Sequence, residues 1–249
     1  MPIYEAEAIV LRHYSLSDSD RIIVFITREF GKVRAVARGV KKPRSRIAGS
    51  LEPLNHIRLE FWTGERKELS QIRQAELIHS YLGKNPELKQ ISGFSYFAEL
   101  ANEIVQENQS NHPLFRLLLA SLRAGELDAI NPPLIRYFEI WCLKLAGLLP
   151  DYAYCSNCGK CVKDDSFYAL IEAGQARCPT CSRGQGLPIG AGASSALNEM
   201  MRIAPEQFMR RPLDNEAAGE IERLSQRLLK VHLEKNFKSY RILAEALKS

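Results

Sequence analysis

The sequence predicts an α+β protein: a small five-stranded barrel at the N-terminus, followed by an α-helical domain that carries a four-cysteine metal element. Three observations predict it. Up to about residue 80 the apolar residues come in short β-branched runs bounded by turns. From about residue 85 they recur at three-to-four spacing, the period of helices. Two C-x-x-C pairs, Cys155/Cys158 and Cys178/Cys181, then interrupt the helical pattern.

The strand candidates in order are 8–11, 21–27, 31–38, 57–62 and 68–73. The fourth alternates cleanly, with Ile57, Leu59 and Phe61 on one face. Five short strands at such spacing fit a small barrel. Residues 41–50 hold Pro43 and Gly49 without apolar periodicity and read as a basic loop. Residues 88–107 present Phe94, Phe97, Leu100, Ala101 and Ile104 as a broad apolar stripe that also includes Ile91. A second helix follows His112-Pro113 with Leu114, Leu117, Leu118 and Leu122 inward. A third follows Asn131-Pro132-Pro133, where proline suits the first turn, and stops near Gly147. Further helices are expected at 193–204, 216–233 and 240–247. The expected domains are 1–80 and 81–249, with the cysteine insertion at about 152–186.

A chain with 45% hydrophobic and 25% charged residues is globular rather than disordered. No apolar run approaches the roughly 20 residues that span a bilayer. The start, Met1 to Glu5, lacks the basic and apolar regions of a signal peptide. These features lead us to expect a cytoplasmic protein without membrane partners. The net charge of +5 is unevenly placed: residues 1–50 hold ten Lys/Arg against five Asp/Glu, and the remainder is balanced. Lys32, Arg34, Arg38, Lys41, Lys42, Arg44 and Arg46 make a basic run opposed, from Arg28 onward, by Glu29 alone. Lys32, Arg34 and Arg38 share one face of a strand, and the loop extends it. Such a surface meets a polyanion, with nucleic acid the expected ligand and a solvated edge strand the bland alternative. Tyr14, Phe30 and Trp62 lie near it but read as core or barrel-closing residues.

Five of the six cysteines crowd into 27 residues, which favours metal binding in a reducing compartment over disulfides. Two C-x-x-C pairs can close a tetrahedron of thiolates around Zn²⁺, and a closed four-thiolate site is structural rather than catalytic. Cys155, Cys158, Cys178 and Cys181 are the symmetrical ligand set. Cys161 also stands in C-x-x-C spacing with Cys158 and is the alternative to Cys155. Cys142, in an apolar run, reads as a buried small hydrophobe.

The five histidines are scattered, and no phosphate loop or nucleophile elbow is present. Nothing assembles an acid, a base and an oxyanion site, so a non-enzymatic protein is expected. The alternative function is a zinc-ribbon factor in transcription or RNA processing. Its ribbon cations Lys160, Lys163, Arg177 and Arg183 are offset by Asp164, Asp165 and Glu172.

The strings Ala8-Ile-Val-Leu-Arg12, Ser17-Asp-Ser-Asp-Arg21, Phe25-Ile-Thr-Arg-Glu-Phe-Gly31, Ala35-Val-Ala-Arg-Gly39 and Pro43-Arg-Ser-Arg46 resemble the start of the bacterial recombination mediator family RecO. So does Leu51-Glu-Pro-Leu54, and Pro133-Leu-Ile-Arg-Tyr-Phe-Glu139, Leu145-Ala-Gly-Leu148 and the cysteine pairs follow in that family's order. The resemblance implies an N-terminal OB-fold, a helical domain and a zinc element. It also implies binding of single- and double-stranded DNA and annealing of complementary strands. The implied partners are RecR, with which the family helps load RecA, and the acidic C-terminal tail of single-strand-binding protein. Arg34, Arg38, Lys41, Lys42, Arg44 and Arg46 match the family's basic barrel surface, and Arg136 falls where some members receive the acidic tail.

Overall fold

A computed structural model describes residues 2–64, 69–83, 85–107 and 109–248. In chain order its elements are β1 (Ile3–Ser15), β2 (Arg21–Thr27), β3 (Gly31–Ala37), β4 (Asn55–Trp62) and β5 (Ser70–Ser80), then α1 (Leu88–Ile104), α2 (His112–Asp128) and α3 (Pro132–Leu145). There follow β6 (Phe167–Leu170), β7 (Gln175–Arg177), α4 (Pro179–Ser182), β8 (Leu187–Ile189), α5 (Ala191–Met200), α6 (Pro205–Phe208), α7 (Asn215–Leu233) and α8 (Lys238–Ala246).

The first five strands close into a barrel in the order β1-β2-β3-β5-β4, with β4 returning to β1. Every contact is antiparallel except a short parallel one that pairs Ala35 with Ser70 and Val36 with Gln71. This is the OB-fold order. Alternation makes the interior: Val33, Ala35 and Ala37 of β3 join Ile23, Phe25, Ile57, Leu59 and Phe61, while Lys32, Arg34 and Val36 point outward. Tyr4, Phe30 and Phe61 meet in a cluster with ring centroids 5.4–5.7 Å apart. Phe30 is thus a barrel-closing residue. Gly31 turns β2 into β3 with φ +67°, and a Cβ there would lie 1.8 Å from the Gln109 carbonyl oxygen, so no other residue fits. The fifth strand runs well past the predicted 68–73, to Ser80, and Glu68 lies outside the described residues.

The chain forms two compact units, residues 1–126 with 237–249, and residues 127–236. In the first, α1 and α8 pack together through Tyr96, whose ring lies 5.7 Å from Phe237 and 5.0 Å from Tyr240. Glu99 accepts from the Ser239 backbone amide and hydroxyl. Glu7 on β1 accepts from Arg28 (3.1 Å) and pairs with the buried His56 (2.7 Å), and Arg28 also reaches His112 on α2 (3.1 Å). Residue 80 therefore marks a change of secondary structure rather than the edge of a compact unit.

In the second unit, α3 begins where Asn131 caps it by accepting from Leu134 N–H (3.0 Å), and α7 where Asp214 accepts from Ala217 N–H (2.6 Å). Each such cap is worth about 1 kcal/mol. Residues 167–189 add a three-stranded sheet in the order β7-β6-β8, which periodicity did not predict because three- and four-residue strands show none. The predicted helix at 193–204 begins two residues earlier and ends at Met200, with α6 starting at Pro205.

Candidate nucleic-acid interface and cysteine centre

The basic run divides into two halves with different partners. Lys32 and Arg34 point from β3 toward the end of α1. Lys32 Nζ donates to the Asn102 carbonyl (2.7 Å), and Arg34 Nε lies 2.9 Å from Glu107. Partial burial lowers the Lys32 pKa, which Glu107 and Glu103 oppose. Farther along, Lys41 Nζ donates to the Ser15 hydroxyl and to the Ser17 carbonyl (2.6 Å), pinning the loop between β1 and β2. Arg38, Lys42, Arg44 and Arg46 are exposed and form no ion pair with a described residue. Successive turns, with Lys42 N–H on the Gly39 carbonyl and Ser45 N–H on that of Lys42, set these cations around one rim of the barrel.

That rim borders a cavity of about 620 Å³ lined by Leu16, Ser19, Asp20, Val36, Arg38, Gly39, Lys42, Leu69 and Gln71. Asp20 accepts from the Gly39 amide (2.8 Å) and the Ser19 hydroxyl (2.8 Å). These bonds, the Gly39 amide foremost, hold its carboxyl below the usual range. Asp20 therefore serves as a lock between two loops.

Tyr14 corrects the sequence reading: it is 44% exposed, with the Arg12 guanidinium 4.9 Å from its ring centroid, and belongs to no core. A bulge between Val10 and Arg12 is responsible. Ala6, Ala8 and Val10 face inward, and strict alternation would send Tyr14 inward too. The extra residue inverts the parity, so that Tyr14 lies outward opposite Ile22.

In the second unit the Sγ atoms of Cys155, Cys158, Cys178 and Cys181 all lie within 4.8 Å of one another. Cys158 and Cys178 are 3.8 Å apart, against about 3.8 Å for the edge of a tetrahedron with 2.3 Å zinc–sulfur bonds. Gly159, with φ +73°, donates to the Cys155 carbonyl (2.9 Å) and closes the first knuckle; Cys181 N–H on the Cys178 carbonyl (3.0 Å) closes the second. The Cys178 and Cys158 backbone amides aim at the Cys155 sulfur and bring its pKa down to about 6. Cys158 receives the Lys160 amide, yet shared protons with Cys155 and Cys181 push it up to about 11. Cys161 stands outside the cluster, exposed, its backbone bridged to Tyr154. Cys142 is buried, as expected.

Arg136 requires a second correction. It is 2% exposed and lies 3.0 Å from the fully buried Glu139 one turn along α3. Ser225 and Gln226 of α7 donate to the same carboxylate (2.6 Å each). A guanidinium committed to a buried carboxylate holds two helices together and presents no charge to a peptide.

A closed OB-fold barrel with a cationic rim, joined in one chain to a helical unit with a four-cysteine centre, defines the class of architecture. The comparisons place it further. Residues 1–81 match the profile described as Recombination protein O N terminal, and residues 86–241 that described as Recombination protein O C terminal. Relatives named DNA repair protein RecO include one from Koribacter versatilis, 30% identical over 231 residues, 93% of this chain and 94% of that protein. Another, from Symbiobacterium thermophilum, is 31% identical over 248 residues, 98% and 97% of the two chains. The chain belongs to the RecO family of DNA repair proteins.

Proposed function

We propose that this protein is a non-enzymatic recombination mediator that binds DNA through the barrel rim, anneals complementary strands and, with RecR, helps load RecA onto single strands covered by single-strand-binding protein. The observation that carries the reading is the rim itself: Arg38, Lys42, Arg44 and Arg46, exposed and without ion pairs to described residues, in the segment that holds the chain's whole charge excess. Phosphates satisfy such cations with little sequence choice. Arg34 and Lys41 flank the rim and Lys32 lies behind it. Annealing follows where cations screen the repulsion between two strands while most bases stay free to pair. The acidic tail remains a partner on the strength of family membership, with no receiving residue assigned.

Zn²⁺ fits the four cysteines by donor type and spacing. Bound there, it would supply folding energy by cross-linking the two knuckles, one ion per chain. A compartment that keeps thiols reduced, the cytoplasm, suits this site, and contact with the nucleoid follows from the DNA ligand.

Annealing of two complementary labelled strands, followed without nucleotide, tests the reading. The wild-type chain accelerates it, and the variant with Arg38, Lys42, Arg44 and Arg46 all changed to Ala does not. Equal acceleration by that variant would remove the rim from the mechanism.

A further inference from the structure

The outer face of β1, β2, β3 and β5 carries a transverse row that charge alone does not explain. Tyr14 is paired with Ile22, Ile22 with Val36, and Val36 with Gln71, so the four side chains share one face. Tyr14, at one end, is exposed, with Arg12 against its ring. Val36 and Gln71, at the other, form part of the floor of the 620 Å³ cavity, whose apolar walls include Leu16 and Leu69 and whose margin holds Arg38 and Lys42. With strands about 4.8 Å apart, Tyr14 and Val36 stand about 10 Å from each other. Arg12 and Arg34 occupy the adjacent row.

We infer that this row is a platform for unpaired nucleotides: one base stacks on Tyr14, the strand crosses Ile22, and a second base enters the cavity over Val36 with its phosphate on Arg38 and Lys42. The inference rests on the DNA-binding reading and deepens it by naming the strand form. The ring argues for an unpaired strand. A tyrosine ring with Arg12 against it is a stacking surface for any base, because every base has a π-face. The faces of paired bases are hidden inside the duplex, so a ring on a sheet surface reaches only a base that has no partner. The margin is cationic, and Asp20, the acid in the lining, is bonded to the Gly39 amide. A duplex would engage the rim cations alone. Few bases are held at once, which leaves the remainder available for pairing.

Binding of one labelled strand, single or annealed to its complement, is measured at fixed salt for the full chain and three variants. Tyr14→Ala is expected to weaken single-strand binding about tenfold and to leave duplex binding unchanged. Tyr14→Phe, which keeps the ring, retains single-strand affinity. The variant with Arg38, Lys42, Arg44 and Arg46 changed to Ala loses both strand forms. Tyr14→Ala without effect on the single strand, or with equal loss on both forms, overturns the inference while the rim reading stands. Failure of the wild-type chain to bind either form overturns both.

Discussion

Arg38 and Arg136 are the same residue in two regions that use it oppositely. At the barrel rim Arg38 is exposed and has no ion pair with a described residue. Inside the second unit Arg136 is buried against Glu139, with Ser225 and Gln226 completing the carboxylate's hydrogen bonds. An arginine in water loses little by waiting for a phosphate, whereas one in the interior must be neutralised or its burial is prohibitive. The comparison teaches that the fold neutralises the arginine it buries and leaves the one at the rim without an ion pair to a described residue. Lys32 and Arg34 make the same point close by in the chain: they lie six and four residues before Arg38, but α1 and the residues after it have already engaged them.

The sharpest break between the regions is expected at the cysteines. Cys178→Ser, or removal of metal by a chelator, should abolish binding of one zinc per chain and lower the thermal stability of the second unit severely. Structural zinc sites contribute roughly 10–16 kcal/mol in small peptides. Metal analysis with thermal unfolding checks this, and Cys161→Ser should retain the full complement. Next in size, Arg136→Ala leaves Glu139 buried and uncompensated and should cost about 3–5 kcal/mol of stability in denaturant unfolding. DNA affinity of the folded variant should be unchanged.

A smaller effect concerns the barrel seam. Burial lowers the His56 pKa below its ordinary 6.5, so the ring is neutral in the fold. Glu7, despite its own partial burial, is held below 4.5 by hydrogen bonds from Arg28 and His56. Both shifts have one sign: the unfolded chain takes up protons more readily, so stability is complete above about pH 6.5 and falls as the pH drops. The melting temperature should therefore decline from about pH 7 to 5, and His56→Gln should flatten that part of the profile.

The barrel was legible in the sequence because its interior obeys the period of two: Ile57, Leu59 and Phe61 point inward as their spacing demands. The clustering of cysteines was legible because C-x-x-C spacing is local, and the four sulfurs that lie close together are those of Cys155, Cys158, Cys178 and Cys181. What stayed hidden depends on distant residues. The partners of Lys32 and Arg34 come from about 70 positions away, and those of Glu139 on α7 from more than 80. Tyr14 was misplaced for a subtler reason: one extra residue in β1 reverses every side chain after it, and a bulge leaves no mark on composition. The sheet of β6, β7 and β8 has strands too short to show a period.

The rim's priority over the rest of the basic run is tested most directly by the slope of the logarithm of single-strand affinity against the logarithm of salt concentration. Four lost phosphate contacts, at about 0.7 each, should reduce that slope by roughly 3 when Arg38, Lys42, Arg44 and Arg46 become Ala. Changing Lys32 and Arg34 together should shift it by less than about 1. The reverse ranking, or an unaltered slope in the rim variant, would contradict the account.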